Sequence, residues 1–334
     1  MSADVDPAGA LERLAATTGT TFPALMAARE RTAEGVAARR ARLDALAADA
    51  DTAIVLVGSW GRAEVTEASD DDWLVLVDGP PRDDVDPAPD AVADAMQARA
   101  PGREGIFGTV AFGDELHTNI GLAADSNANL TRRMLLALES VAIAGEPVWR
   151  AVRGKVVASY LGPRARDYRP PRFLLNDVVR YWRTVAVDFE GKDRTRAGTG
   201  WGLRNAKLRT SRKILFASGL LPVLECWRLP AAEMPAFLTR ELDAPATDRI
   251  AAAFERYEAH DAGARALSAY DRFIALLDDA QARKRLAALS EDDAYESAEF
   301  AEARALADQV QAGLLSLLFD DLRLAAVTRE YGIF

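Results

Sequence analysis

Cysteine and histidine are nearly absent from this chain of 334 residues, which has one of the former and two of the latter. A single thiol excludes a disulfide within the chain and suits a reducing cytoplasm. Cys226 stands in the run Leu224-Glu225-Cys226-Trp227 and reads as a small buried hydrophobe. With only His117 and His260 beside it, a zinc site built on Cys and His lacks ligands. Also missing is any run near the roughly eighteen apolar residues that a membrane-spanning helix requires. The opening Met1-Ser2-Ala3-Asp4-Val5-Asp6 is acidic where a secretion signal is basic, so a soluble cytoplasmic protein without a membrane partner is expected. Positive charge is in deficit too: the net charge is -10 and the pI about 5.0. Such a surface offers no broad attraction to nucleic acid, so DNA is not an expected partner, and RNA requires a local basic groove.

What the chain does have is apolar content: 49% hydrophobic residues, enough for sizeable cores and, at this length, for two domains. Residues 24–50 carry good helix formers with one apolar face. The period then changes. Ile54-Val55-Leu56-Val57 and Trp73-Leu74-Val75-Leu76-Val77 are short apolar runs ending at Gly58 and Asp78-Gly79, and read as buried strands of one sheet. A Pro- and Asp-rich loop at 80–89 precedes a short helix over 90–100. Residues 107–112 and 116–122, separated by Gly113-Asp114-Glu115, suggest a hairpin, and 129–144 a helix that stops at Gly145. Beyond 170 the spacing predicts helices only, at 173–189, 203–218, 231–242, 247–260, 264–277 and 297–322. The expectation is therefore an α+β protein, with the sheet in residues 1–160 and a helical bundle in 161–334.

The chemistry is concentrated in Val57-Gly58-Ser59-Trp60-Gly61-Arg62-Ala63-Glu64 and Ser69-Asp70-Asp71-Asp72-Trp73. A strand ends in Gly-Ser, ten residues intervene, and two carboxylates at i and i+2 enter the next strand. In extended chain such a pair shares a face, so Asp70 and Asp72 present their oxygens together while Asp71 points away. Adjacent carboxylates repel unless a cation lies between them, and oxygen ligands suit Mg²⁺ or Mn²⁺. Gly58 admits a phosphate close to the backbone, Ser59 adds a hydroxyl, and Arg62 is placed to add charge-assisted bonds. A surface turn that merely starts a strand is the plain alternative.

This pattern resembles the signature of the DNA polymerase β-like nucleotidyltransferases, and its fuller form, Gly-Ser-x-Gly-Arg-x-Glu-x4-Ser-Asp-x-Asp, is most similar to the PII-protein uridylyltransferases and related signal-transduction nucleotidyltransferases. Residues 135–148 also resemble the helix and Gly-Glu turn that follow the sheet there. The resemblance, over residues 50–150, implies a nucleotidyltransferase domain, divalent-metal dependence and transfer of a nucleoside monophosphate from a nucleoside triphosphate to a protein or small-molecule acceptor. Members usually carry a third carboxylate on a later strand. Here 116–120 offers His117 and Asn119 instead, leaving Asp114, Glu115 and Asp125 in the flanking turns. A nucleotide-binding regulator or antitoxin-like protein without turnover is therefore an alternative, as is an RNA-directed enzyme.

A second cluster is Arg204, Lys207, Arg209, Arg212 and Lys213, five cations within three turns that repel unless anions lie nearby. By analogy with nucleotidyltransferases that close their cleft with a helical bundle, Arg204 and Lys207 are expected at the nucleotide, with Asn176, Arg180 and Arg183 as possible helpers. The competing reading pairs these cations with Asp177, Asp188 and Glu190 as a structural network.

Overall fold

The two apolar runs at the front of the chain divide their side chains between two cores, and this division places the sheet. In the computed structural model, which describes residues 5–44, 46, 49–97, 105–195 and 198–332, β1 (Thr52–Val57) and β2 (Trp73–Val77) are buried along their whole length. Successive residues of a strand point to opposite faces. Ala53, Val55, Val57, Leu74 and Leu76 thus enter the main core, while Ile54, Leu56, Trp73 and Val75 enter a smaller one with Val36, Val92 and Met96. The smaller core is covered by α2 (Pro23–Leu43) and α3 (Pro89–Met96). Burying a Val, Leu or Ile side chain contributes about 1.5–3 kcal/mol, an upper figure because unfolded chains are already partly compact.

Four strands form one mixed sheet in the order β3-β2-β1-β4. β1 pairs antiparallel with β2 and with β4 (Ser140–Ala144), and β3 (Thr109–Phe112) pairs parallel with β2. Three expectations are corrected here. The hairpin does not form: residues after β3 make the short helix α4 (Gly113–Thr118), so His117 lies on a helix rather than a strand. Its first turn carries Asp114 and Glu115, which favour a helix N-terminus. The helix expected to reach 144 is α5 (Asn127–Leu138), and the rest of that apolar run is β4, drawn into the sheet by β1. The helix expected over 24–50 ends at Leu43, and of the one expected over 90–100, residues 98–100 lie outside the described residues.

After β4 the described chain is helical: α6 (Glu146–Leu161), α7 (Arg172–Thr195), α8 (Trp201–Arg209), α9 (Ser211–Glu225), α10 (Met234–Asp243) and α11 (Ala246–Arg256). Next come α12 (His260–Asp278), α13 (Ala280–Ala288), α14 (Glu291–Ala294), α15 (Ala298–Phe319) and α16 (Leu322–Tyr331). The expected helix over 203–218 is broken at Thr210, whose φ of -118° and ψ of -86° leave the helical region.

The main core does not stop at residue 160. It runs from Ala10 to Val327 and includes α1 (Ala10–Thr18), which rests on α11 and α12. The starts of α1 and α2 are capped from a distance: Leu11 N–H donates to Asp248 (3.2 Å) and Leu25 N–H to Asp271 (2.8 Å).

One buried ion cluster holds α7 in place. The Arg133 guanidinium on α5 is fully buried and meets Asp125 (3.0 Å), Asp177 of α7 (2.8 Å) and the Tyr160 hydroxyl of α6 (2.6 Å). Removing one partner of such a cluster strands the opposite charges in a medium of low polarity. Arg133→Met is expected to lower the unfolding free energy by about 3–5 kcal/mol in urea titrations, whereas a loss below about 1 kcal/mol, the level of a surface ion pair, would show the cluster to be marginal.

Candidate functional site

The Gly-Ser turn and the carboxylate pair meet because both flank the β1–β2 pairing. Val57 N–H donates to the Asp72 carbonyl (2.9 Å), extending the ladder past β2, so residues 70–72 run extended just before the strand. Asp71 turns inward and is buried against Arg39 of α2 at 2.8 Å. Its neighbours Asp70 and Asp72 take the other side, where both line one cleft with Gly58. A Cβ added to Gly58 would lie 3.4 Å from Asp72 Oδ2, and the φ of +69° there is one that other residues adopt at a cost. Trp60 fastens the same corner: its Nε1 donates to the Asp70 carbonyl (3.2 Å), and Arg39 covers its ring. Among the described residues the Asp70 carboxylate has no hydrogen-bond or ion-pair partner.

Arg62 lines this cleft with its charge already engaged. Only 6% exposed, its guanidinium lies between two buried carboxylates, Glu64 (2.8 Å) and Glu139, rather than standing free for phosphate. Burial opposes that charge, and the two carboxylates overcome it, raising the arginine above its usual range. Glu139 follows α5 directly, and its carbonyl accepts from Gly58 N–H (3.1 Å). Its carboxylate also accepts from the Tyr181 hydroxyl of α7 at 3.0 Å, and burial followed by the Glu139 charge pushes that phenol far up. Gly61 rests on this segment so closely that a Cβ would fall 2.0 Å from the Glu139 carbonyl. Arg62 therefore fixes the shape of the Gly-Ser turn.

Two chambers open from the carboxylate pair and share Gly58, Asp70, Asp72, Lys207 and Arg212. The first, about 130 Å³, runs toward α12 and α13. The hydroxyls of Ser59, Thr66, Ser69 and Ser211 line it, with the paired Arg62 and Glu64 and the cations Lys207, Arg212 and Arg283. The second, about 280 Å³, runs toward α5 and α7 and is walled by apolar Ile106, Phe107, Leu135 and Val185 and by polar Tyr181, Asp188, Lys192 and Arg204. The break at Thr210 is what lets Lys207 of α8 and Arg212 of α9 reach the same cleft. Arg209 and Lys213 bond to Asn205 and Gln311 instead.

The cations differ in what they already hold. Arg204 is engaged by Asp193 (2.9 Å) and by the Thr199 carbonyl, which leaves it a wall of the second chamber rather than an obvious phosphate ligand. Arg212 stands 3.9 Å from Glu139. Arg283, which sequence reasoning missed, donates to the Ala68 carbonyl (3.0 Å), while burial draws its guanidinium below the usual range against the pull of Asp70. Lys207 has no hydrogen-bond or ion-pair partner among the described residues. Burial, then the charges of Arg283 and Arg212, push its ammonium down to about 7, with Asp70 offsetting part of the shift. Such a group lacks an anion, and an incoming one would restore its charge.

The suggested helpers Asn176, Arg180 and Arg183 line neither chamber, and Arg180 pairs with Asp177 (2.9 Å). Of the acids considered as a third carboxylate, Asp125 is bound to Arg133, and Asp114 and Glu115 sit on α4 outside both chambers. Among the described residues no three His, Cys, Asp or Glu side chains converge as a metal site. The donor set nevertheless fits magnesium, which takes one or two carboxylates and completes its shell with waters and substrate phosphates. A larger cavity, about 860 Å³, lies between α6, α10 and the start of α11 and holds none of these groups. Size does not mark the chemistry here. No family model, curated protein or solved structure matches the chain.

The lowered Lys207 pKa links stability to pH with a definite sign. Between about 7 and the ordinary lysine value of 10.5, the unfolded chain binds more protons than the folded one, so this residue's penalty shrinks as pH rises through that window. Lys207→Met is expected to be more stable than the native protein near the lower end of the window, with the gap closing toward its upper end. Urea titrations across the window check this, and a gap that does not change with pH would contradict it.

Proposed function

We propose that this protein is a metal-dependent nucleotidyltransferase that moves a nucleoside monophosphate from a nucleoside triphosphate to a hydroxyl, releasing pyrophosphate. The observation that carries the reading is the joining of Asp70 and Asp72 to Gly58 and Ser59 around one cleft, beside a chamber lined by Lys207, Arg212 and Arg283. In this reading residues 1–160 supply the nucleotidyltransferase domain and 161–334 the helices that close it. The protein works in the cytoplasm, where nucleoside triphosphates are available.

Asp70 and Asp72 would hold Mg²⁺ or Mn²⁺, which when bound polarises the α-phosphate and neutralises charge on the leaving pyrophosphate. Ser59 binds phosphate oxygens through its hydroxyl, and Gly58, having no side chain, lets them come close to the turn. Lys207, Arg212 and Arg283 receive the β- and γ-phosphates in the first chamber. The incoming anion is the partner that Lys207 lacks. Arg62, buried between Glu64 and Glu139, keeps the turn in register, and Arg204 shapes the second chamber.

One observation favours a nucleotide-binding regulator: the segment expected to present a third acid on a strand is α4. The same experiment separates the two readings. Native protein, each α-labelled nucleoside triphosphate, Mg²⁺ or Mn²⁺ and cell extract are incubated beside Asp70→Asn/Asp72→Asn. Transfer of label by the native protein, lost by at least roughly a thousandfold in the variant at unchanged melting temperature, is expected for the enzyme. Retention of nucleotide without label transfer would make it a regulator.

A further inference from the structure

We infer that Asp278, the last residue of α12, is a positioning residue for the metal site: it clamps the loop over 64–69 that leads into Asp70. The inference rests on the metal site of the nucleotidyltransferase reading and deepens it, because it gives the helical half a part in holding the ion.

Between Glu64 and Asp70 the chain is in neither helix nor strand. Within the loop, Ser69 N–H donates to the Thr66 carbonyl (3.0 Å) and Thr66 N–H to the Ser69 hydroxyl (3.0 Å), which closes a small ring and leaves the backbone around it to be held from outside. Glu67 N–H donates to Asp278 Oδ1 (3.1 Å). The other Asp278 oxygen accepts from Arg31 of α2 (2.9 Å), and the same guanidinium donates to the Val65 carbonyl (2.9 Å). One carboxylate therefore holds the loop at two points, directly at Glu67 and through Arg31 at Val65. Arg283 of α13 adds a third at the Ala68 carbonyl (3.0 Å). Asp70 comes next, its own carbonyl held by Trp60 Nε1 (3.2 Å), so the ligand is restrained from both sides. Groups that orient a metal ligand from behind set the affinity of the site nearly as firmly as the ligand itself.

The place of Asp278 in its helix points the same way. A carboxylate in the last turn meets the negative end of the helix dipole. Capping of the next helix falls to Asp279, which accepts from Gln281 N–H and Ala282 N–H. The side chains of Arg31 and Asp278 are 34% and 29% exposed, so their pair adds little to global stability. What Asp278 serves is the loop.

Position and plain charge make opposite predictions for Arg31. Loss of a cation near the site strengthens metal binding if charge alone acts. Loss of the tie to Val65 weakens it. The experiment titrates full-length protein with Mn²⁺ alone and follows the electron paramagnetic resonance signal of the free ion, for the native chain, Asp278→Ala, Asp278→Asn and Arg31→Met. Asp278→Ala and Arg31→Met are each expected to weaken Mn²⁺ binding about tenfold or more at unchanged melting temperature. Asp278→Asn, which keeps an acceptor for Glu67 N–H, is expected to fall between native and Asp278→Ala. Native-like affinity in Asp278→Ala, tighter binding in Arg31→Met, or a native protein that binds no Mn²⁺ would overturn the clamp. If Asp278→Ala fails to fold, Asp278→Asn and Arg31→Met carry the comparison. Label transfer by the native protein beside native-like Mn²⁺ binding in the variants removes the clamp and leaves the enzyme. Absence of label transfer, with Mn²⁺ binding that still depends on Asp278 and Arg31, removes the enzyme and leaves the clamp.

Discussion

The cleft depends on one buried charge. Arg62 joins Glu64, two residues along the chain, to Glu139 at the far end of α5, and Glu139 in turn accepts from Tyr181 of α7. The Gly-Ser turn, the edge of the sheet and the helix that roofs the second chamber are thereby tied to a single guanidinium. An isolated buried ion is costly, and compensation requires good geometry and further hydrogen bonds. Here two carboxylates, a phenol and the backbone bond from Gly58 provide them. The close fit of Gly61 on the Glu139 carbonyl makes the contact steric as well as electrostatic.

How much of this was legible in the sequence follows the distance over which each feature is decided. β1 and β2 are short β-branched runs with clear ends, so their own residues define them. Asp70 and Asp72 reached a common cleft with Asp71 turned inward, as alternation in an extended chain requires. Within the cationic cluster Lys207 faces the cleft while Arg209 and Lys213 bond elsewhere, and the break at Thr210, which brings Arg212 to the same cleft, carries no local mark in the helical spacing. β4 was not legible either, because its residues continue an apolar helical run and only pairing with β1 makes them a strand.

Charge partners were the least legible. Arg62 stands beside the Gly-Ser turn in sequence and looks available, but its second carboxylate is 77 residues away. Arg283 carries no local mark of its place at the cleft, which it reaches only when α13 packs against α8 and its guanidinium meets the 64–69 loop. The pairing expected with Asp177, Asp188 and Glu190 held for Arg180 with Asp177, while Arg204 took Asp193. The first is an i,i+3 pair within α7 that helical spacing itself allows, whereas the second is a tertiary choice among several acids of that helix, which spacing alone does not rank.

The remote caps on α1 and α2 bear on how the chain folds as it is made. Both helices precede the sheet, yet the carboxylates that receive their leading amides, Asp248 and Asp271, follow 237 and 246 residues later. At ribosomal speeds of about 5–20 residues per second, that interval is on the order of ten to fifty seconds. During it α1 has no permanent place to dock, because it rests on α11 and α12, whereas α2 already has the sheet and α3 to pack against. α1 must therefore wait for α11 and α12, and a nascent chain released before them would leave its apolar face open to aggregation.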